Sequence, residues 1–155
     1  MRYNLLIIIP ARKGSRGIKY KNLIKINKKP LIFYSIKAAK LIKEKSKIIF
    51  CSTDSKKIKN TALNFGAEAP FLRPKNISTN LSTDIFFVNH ALQKYSEKNI
   101  KFKYVLILRP TSPIRKKISL NNAYNKFKSC KFASSMRAVT PSPSNPYKMW
   151  VLRKN

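Results

Sequence analysis

The stretch that decides the fold is LLIIIPARKGSRG, residues 5–17. Its first five residues are continuously apolar, as in a strand buried on both faces of a sheet, and Pro10 ends the run. The chain then changes character, because the next twelve residues, 11–22, hold two glycines and five cations. A basic loop directly after a buried strand is typical of the ligand-binding edge of a parallel sheet.

Further apolar runs alternate with segments of helical periodicity along the chain. Strands are predicted at residues 47–51, 69–72 and 104–108, helices at 30–43, 55–65, 83–95 and 118–127, and an extended segment at 132–139. Buried strands separated by helices predict an α/β fold of three layers, with a mostly parallel, twisted sheet covered by helices on both faces. The length of 155 residues fits one domain over residues 1–155.

The formal net charge of +29, with only five acidic residues, is the most extreme feature of the composition. Such a charge is typical of proteins that bind nucleic acid, so a basic nucleic-acid-binding module is the alternative hypothesis. The lysines, however, are spread through nearly every segment, and Ile and Asn are also abundant. We therefore attribute most of the charge to a compositional bias and expect only non-specific binding to nucleic acid.

Cysteine content and hydropathy bear on the cellular compartment. The chain has two cysteines, Cys51 and Cys130, too few for a disulfide framework, and reduced thiols favour a cytoplasmic protein. The apolar run at residues 5–9 is too short for the core of a signal peptide or for a membrane span. No membrane partner is expected.

Polar clusters follow the predicted strands at the point where each strand ends. They are ARKGSRG (11–17), STD (52–54), RP (73–74) and RPTSPIR (109–115). Because the carboxyl ends of parallel strands meet at one edge of a sheet, these clusters are expected to share a ligand crevice. In the first cluster, glycines let backbone amides approach an anion, although neither a Walker loop nor a GxGxxG fingerprint is present. A triphosphate-binding loop and a solvated basic loop both stay open on this evidence.

Five longer motifs occur in order along the chain: IIPARKGSRGIKYKNL, KPLIFYSIKAA, FCSTDSKKI, FLRP and LRPTSPIR. Together they resemble the acylneuraminate cytidylyltransferases, the CMP-sialic acid synthetases, over almost the whole chain. The resemblance implies a Rossmann-like fold of the nucleotide-diphospho-sugar transferase type. It also implies a reaction in which CTP and a nine-carbon sugar acid give a CMP-sugar and pyrophosphate.

The resemblance implies roles for particular residues. Arg12 and Lys21 match cations that contact the triphosphate, and they are the expected catalytic residues. The expected nucleotide-binding residues are Ala11, Arg12, Ser15, Arg16, Lys21, Asn22, Arg73, Ser82 and Thr83. The expected sugar-acid-binding residues are Arg109, Thr111, Ser112, Arg115 and Lys148. Arg109 departs from the Gln usual in sialic acid enzymes, which favours a related sugar acid of the legionaminic or pseudaminic type.

The resemblance also implies Mg²⁺ as the cofactor, since nucleotidyl transfer from CTP uses this ion. The family's metal-binding Asp pair and its dimerisation element belong to a segment that follows the matched motifs. We therefore expect this chain to be the N-terminal portion of a cytidylyltransferase, truncated at the C-terminus and without metal ligands or the family's homodimer contacts. Such a portion is expected to bind CTP, with turnover left open. A different sugar nucleotidyltransferase, which would share the fold, is the third hypothesis.

Overall fold

The computed structural model describes residues 1–14, 17–139 and 141. In chain order the elements are β1 (Arg2–Pro10), β2 (Lys25–Ile26), β3 (Lys29–Pro30), α1 (Leu31–Lys40), β4 (Lys47–Ser52), α2 (Lys56–Asn64), α3 (Asp84–Ser96), β5 (Lys101–Ile107) and α4 (Lys117–Ser129), with short 3-10 helices at Lys21–Leu23 and Lys75–Ile77. Among these residues, β1 lies between β4 and β5 in a parallel three-stranded sheet, and β2 pairs with β3 in a small antiparallel hairpin.

The central strand β1 is buried on both faces because its apolar side chains alternate between two helical layers. Leu5, Ile7 and Ile9 pack with α1, α2 and α4, whereas Leu6 and Ile8 pack with α3. All five side chains are fully buried, and each such burial contributes roughly 1.5–3 kcal/mol before the loss of chain entropy. The predicted three-layer α/β fold with a parallel sheet is confirmed.

The register of the sheet brings the strand ends together at one edge. Pro10 pairs with Ser52 at the end of β4, and the amide of Ala11 continues the ladder with a 2.9 Å bond to the Ser52 carbonyl. On the other side of β1, the amide of Leu108 donates to the Ile8 carbonyl at 2.9 Å. The loops after β1, β4 and β5 therefore begin side by side, as the polar clusters of the sequence predict.

The hairpin before α1 was not predicted. Its turn residues Asn27 and Lys28 have φ angles of 46° and 63°, the left-handed conformation that tight two-residue hairpins require. Asn tolerates this region and Lys does so less readily, so the sequence signal is weak. Pro30 ends β3 and occupies the N-cap position of α1, one residue before the first helical position that the sequence pattern predicts for it.

Two predicted extended segments do not form strands. At 69–72 no strand or bridge forms: the isolated bridge nearby joins Phe50 to Glu68, just before this segment, and Pro70 has no amide hydrogen to continue a ladder. At 132–139 no strand is present either, and Phe132 and Val139 are 99% and 92% exposed. No described strand or helix covers these two side chains, so their apolar surface stabilises no ladder here. No helix in the described ranges is long and apolar enough to cross a membrane.

Candidate active site

Two adjoining cavities open at the carboxyl edge of the sheet, with volumes of about 320 Å³ and about 170 Å³. Pro10, Arg12 and Arg109 line both of them. The larger cavity is completed by Gly17, Lys21, Asn22, Pro110 and Thr111. The smaller cavity is completed by Arg73, Thr79, Asn80, Ser82, Asp84 and Phe87. The two cavities therefore form one cationic cleft, in which Arg12 and Arg109 stand at the boundary.

Arg12 is held at the end of β1 by contacts to its backbone and its side chain. The amide nitrogen of the buried Asn22 donates to the Arg12 carbonyl at 3.0 Å, and the guanidinium donates to the Ser78 carbonyl at 3.4 Å. The next residue is anchored too, because the amide of Lys13 donates to a carboxylate oxygen of Asp54 at 2.7 Å. These bonds hold Arg12 and Lys13, so Arg12 is presented to the cleft from an anchored position.

Lys21 lines the larger cavity from the first turn of the 3-10 helix Lys21–Leu23. Tyr20 precedes this helix in the left-handed conformation, with φ 54°, which turns the chain into the cleft. Within the described residues Lys21 makes no ion pair, so its ammonium group is available to an anionic ligand. An ammonium on a flexible stem acts as a mobile point charge and can follow a phosphate.

Arg73 lies in the wall of the smaller cavity and is only 6% exposed. Its Nε donates to Ser52 Oγ at 3.0 Å, its Nη2 donates to the Ser52 carbonyl at 2.8 Å, and its guanidinium lies 4.8 Å from the ring centroid of Phe87. Burial lowers the pKa of Arg73 to about 10, an effect that the nearby Asp54 carboxylate partly opposes. Arg73 therefore stays charged at neutral pH, with its Nε and one Nη2 donor bound to the protein itself.

The two predicted hydroxyl residues before α3, Ser82 and Thr83, differ in whether they reach the cleft. Ser82 lines the smaller cavity, where its Oγ accepts from the Thr79 amide at 3.1 Å and lies 2.9 Å from Thr79 Oγ1. Thr83 is the exposed residue that precedes α3, it makes no side-chain capping bond, and it lines neither cavity. The structure brings Ser82 to the cleft with Arg12 and leaves Thr83 outside it.

The residues after β5 also differ in position. Arg109 reaches both cavities and forms an ion pair with Asp84, and Thr111 lines the larger cavity. Ser112 is exposed and lines neither cavity. Arg115 points back into the protein, where its Nη1 donates to Ser35 Oγ at 3.1 Å and its Nη2 to the Arg109 carbonyl at 2.5 Å. Burial lowers the pKa of Arg115 as well, and its contacts make it a support for Arg109.

The remaining predicted site residues are Ala11, Ser15, Arg16 and Lys148. Ala11 is fully buried in the core with its amide bonded to the sheet, so its side chain does not reach the cleft. The other three, Ser15, Arg16 and Lys148, lie outside the described residues.

Two acidic residues with clear roles in the cleft were not among the predicted site residues. Asp54 anchors the start of the loop after β1 by accepting from the Lys13 amide. The STD cluster indicates a residue near the crevice but does not identify its hydrogen-bond partner. Asp84 binds Arg109 across a sequence separation of 25 residues. An acid in the first turn of a helix is a general stabilising feature, so its sequence signal points to the helix and not to a site.

The described residues do not by themselves fit a magnesium site. Within them, no group of three or more His, Cys, Asp or Glu side chains lies close enough together to hold a metal ion. Asp84 is the one carboxylate that lines either cavity in the described ranges, and it is already bonded to Arg109. The expectation of Mg²⁺ stays a prediction, and no chemical step is derived from it.

The fold and the cleft define an α/β protein with a cationic cleft at the carboxyl edge of a parallel sheet. Comparison with known sequences gives the family. The sequence model described as "Cytidylyltransferase" matches residues 6–146, and this chain belongs to the cytidylyltransferase family. The predicted family is confirmed, and the comparisons support it over the nucleic-acid-binding alternative.

Similar proteins make the family relation specific. The chain is 40% identical to the CMP-N,N'-diacetyllegionaminic acid synthase of Legionella pneumophila, over 77% of this chain and 51% of that protein. It is 38% identical to a pseudaminic acid cytidylyltransferase of Campylobacter jejuni, over 79% of this chain and 52% of that protein. The chain thus spans about half the length of the curated relatives it matches.

A solved structure shares the fold. CMP:2-keto-3-deoxy-manno-octonic acid synthetase, in complex with CTP, superposes with a TM-score of 0.65 at 17% identity. The superposition covers 81% of this chain and 47% of the other. At this identity the likeness supports the three-layer architecture and carries nothing about the ligand.

Proposed function

We propose that this protein takes part in cytidylyl transfer, in which CTP and a sugar acid give a CMP-sugar and pyrophosphate. The observation that carries the proposal is the cationic cleft of two adjoining cavities that share Arg12 and Arg109. A shared boundary allows two ligands to meet, as a bimolecular transfer requires. The larger cavity, at about 320 Å³, is in the size range of small-molecule sites.

Arg12 and Lys21 are proposed to bind the triphosphate of CTP. Arg12 offers a planar fork to two phosphate oxygens, and Lys21 supplies a mobile charge beside it. A hydroxyl oxygen of the sugar acid attacks the α-phosphorus and loses its proton to water, and the bond from that phosphorus to the pyrophosphate oxygen breaks, so that pyrophosphate leaves. Negative charge grows on the transferred and leaving oxygens, where fixed cations stabilise the transition state most.

The second substrate is proposed to be a sugar acid of the legionaminic or pseudaminic type. Arg109 and Thr111, which the motif resemblance assigns to the sugar acid, both line the larger cavity, and a guanidinium binds a carboxylate with matching geometry. The names of the two similar proteins, a legionaminic acid synthase and a pseudaminic acid cytidylyltransferase, support this choice.

Thermal unfolding of the purified chain with each of CTP, UTP, GTP and ATP tests the nucleotide assignment. At a CTP concentration about 100-fold above Kd, binding stabilises the folded state by about 2.7 kcal/mol. For a domain of this length, that raises Tm by roughly 5–10 °C. CTP alone is expected to produce this shift.

The substitution K21A tests the role of Lys21, with K19A as the matched control. Lys19 lies in the same loop, is exposed and lines neither cavity, so its loss removes an equal charge from outside the cleft. K21A is expected to weaken CTP binding about tenfold or more, as the loss of a charge-assisted contact predicts. Equal effects of K21A and K19A, or a melt that no nucleotide shifts, would contradict the proposal.

A further inference from the structure

One acidic side chain stands in a cleft whose other charged groups are cations. Within the described ranges, the charged residues lining the two cavities are Arg12, Lys21, Arg73, Arg109 and Asp84. The whole chain has only five acidic residues against 34 basic ones, so an acid at this position is not a consequence of composition. Asp84 lowers the positive potential of a cleft that is otherwise suited to anions.

Asp84 acts on one particular cation. It is the first residue of α3, where the helix N-terminus favours a negative charge, and its Oδ2 accepts from Nη2 of Arg109. Arg109 begins the loop after β5 and is fixed at its backbone, because Arg115 binds its carbonyl and is in turn bound to the buried Ser35. The ion pair thus joins two elements across the boundary between the cavities.

The pair can be broken without unfolding its surroundings. The side chains of Arg109 and Asp84 are 54% and 42% exposed, so water replaces the lost contacts. Ion pairs of this exposure change an equilibrium constant by about fivefold or less. A second carboxylate that approaches Arg109 therefore competes with Asp84 on nearly equal terms, and it prevails where the rest of its ligand makes additional contacts.

We propose that Asp84 is an internal carboxylate that occupies the guanidinium of Arg109 and gives way to the carboxylate of the sugar acid. The inference rests on the proposed function, and it assigns Arg109 as the residue that selects an acidic sugar. Asp84 disfavours simple anions at this position by up to about fivefold, because an ion without further contacts gains little beyond what the internal pair already supplies. In this role Asp84 is a positioning residue that acts through Arg109.

The test is a titration of the chain with N,N'-diacetyllegionaminate in the presence of saturating CTP, monitored by NMR of the arginine Nε–H groups. The Arg109 signal is assigned by its loss in R109Q. D84N preserves the shape of the side chain and removes the charge, and it is expected to lower the half-saturating concentration about three- to fivefold. The methyl ester of the same sugar, which has no charged carboxylate, is expected to gain nothing from D84N.

The matched control is E97Q, which removes a negative charge from the same helix. Glu97 follows α3 and pairs with Lys94 on the exposed surface, with no part in the cleft. E97Q is expected to leave the titration unchanged. In the double variant D84N/R109Q the gain from D84N is expected to vanish, because the two residues act on one interaction.

Several results would overturn the inference. Weaker or unchanged binding in D84N would mean that Asp84 orients Arg109 permanently or has no role. If E97Q, or D84N in the R109Q background, gave an equal gain in affinity, the effect would be one of net charge alone. If the Arg109 signal showed no saturable change, Arg109 would not be the residue that binds the carboxylate. A CTP titration of the same samples separates the two proposals: if CTP binds and D84N fails, only this inference falls, whereas no CTP binding removes the proposed function as well.

Discussion

Replacing Arg73 by methionine is expected to destabilise the fold more than it weakens nucleotide binding. Arg73 is 6% exposed, and two of its donors bind Ser52, at 3.0 Å and 2.8 Å. Its backbone amide also donates to Thr53 at 2.7 Å, which attaches the segment before the Lys75–Ile77 helix to the end of β4. The side chain thus holds one wall of the smaller cavity in place.

The expected loss in the free energy of unfolding combines three effects, one of which opposes the other two. The two charge-assisted bonds to Ser52 are worth about 1.5–3 kcal/mol each. Against them stands the burial of the charge, which lowers the pKa of Arg73 from 12.5 to about 10, a penalty of roughly 3 kcal/mol on the charged form. Methionine removes that penalty and fills the space, but it leaves Ser52 Oγ without this donor, at about 1–3 kcal/mol. The expected net loss is about 1–6 kcal/mol, centred near 3 kcal/mol, which corresponds to roughly 6–12 °C in Tm.

Urea unfolding followed by circular dichroism measures this loss, with K75M as the matched control. Lys75 is an exposed cation two residues away, and its substitution is expected to change stability by less than about 0.5 kcal/mol. The decisive comparison adds a CTP titration at a temperature where both variants are folded. If R73M were as stable as the wild type and yet lost CTP binding, Arg73 would be a direct ligand contact and the structural reasoning would be refuted.

Two further predictions concern single positions outside the cleft. Gly66 follows α2 with a φ of +83°, and a Cβ at this position would lie 2.7 Å from Lys40 Nζ. The substitution G66A is therefore expected to lower the free energy of unfolding in urea by about 1–2 kcal/mol, and an unchanged midpoint would contradict the left-handed conformation. Burial lowers the pKa of His90; the positive charges of Lys94 and Arg73 lower it further, and the negative charge of Glu97 opposes the shift. His90 therefore takes up a proton more readily in the unfolded chain than in the folded one. The stability associated with neutral His90 is complete above pH 6.5 and is lost as pH falls below that value. The variant H90Q is therefore expected to lose less stability than the wild type between pH 7.5 and pH 5.5. Equal losses would show that His90 has no part in the pH dependence.

Most of the sheet could be predicted from sequence because its strands carry their own signal. The apolar run at 5–9 identified β1, and the structure extends it to Arg2–Pro10 since backbone pairing does not require apolar side chains at the ends. The helix predicted at 55–65 had an equally local signal, and in the structure Ser55 caps α2, where its Oγ accepts from the Ile58 amide at 3.4 Å. The segment at 132–139 failed for the opposite reason. Strand propensity stabilises nothing without a neighbouring strand, and sequence pattern alone does not supply one.

The candidate site was predictable where it depends on strand ends and not where it depends on pairing between distant side chains. The polar clusters at the ends of β1, β4 and β5 were enough to place Arg12 and Arg109 in one crevice. The Arg109–Asp84 pair joins residues 25 apart in sequence, and its geometry follows from the packing of α3 against the sheet. No local pattern indicates such a contact, so Asp84 could be found only in three dimensions.

What separates the arginines of this cleft is the number of donors that each has already committed to the protein. In a chain with 34 basic residues, charge alone does not identify a ligand-binding group. Arg73 and Arg115 direct their guanidinium groups to oxygens of the protein itself, so they shape the walls and support the loops. Arg12 and Arg109 stand at the boundary of the two cavities with weaker or more exposed contacts, a single 3.4 Å bond for one and a half-exposed ion pair for the other. Substitutions of these arginines are therefore expected to differ in effect. R73M should lower mainly the free energy of unfolding and R109Q mainly the ligand affinity, because a donor that binds the protein cannot also bind the substrate.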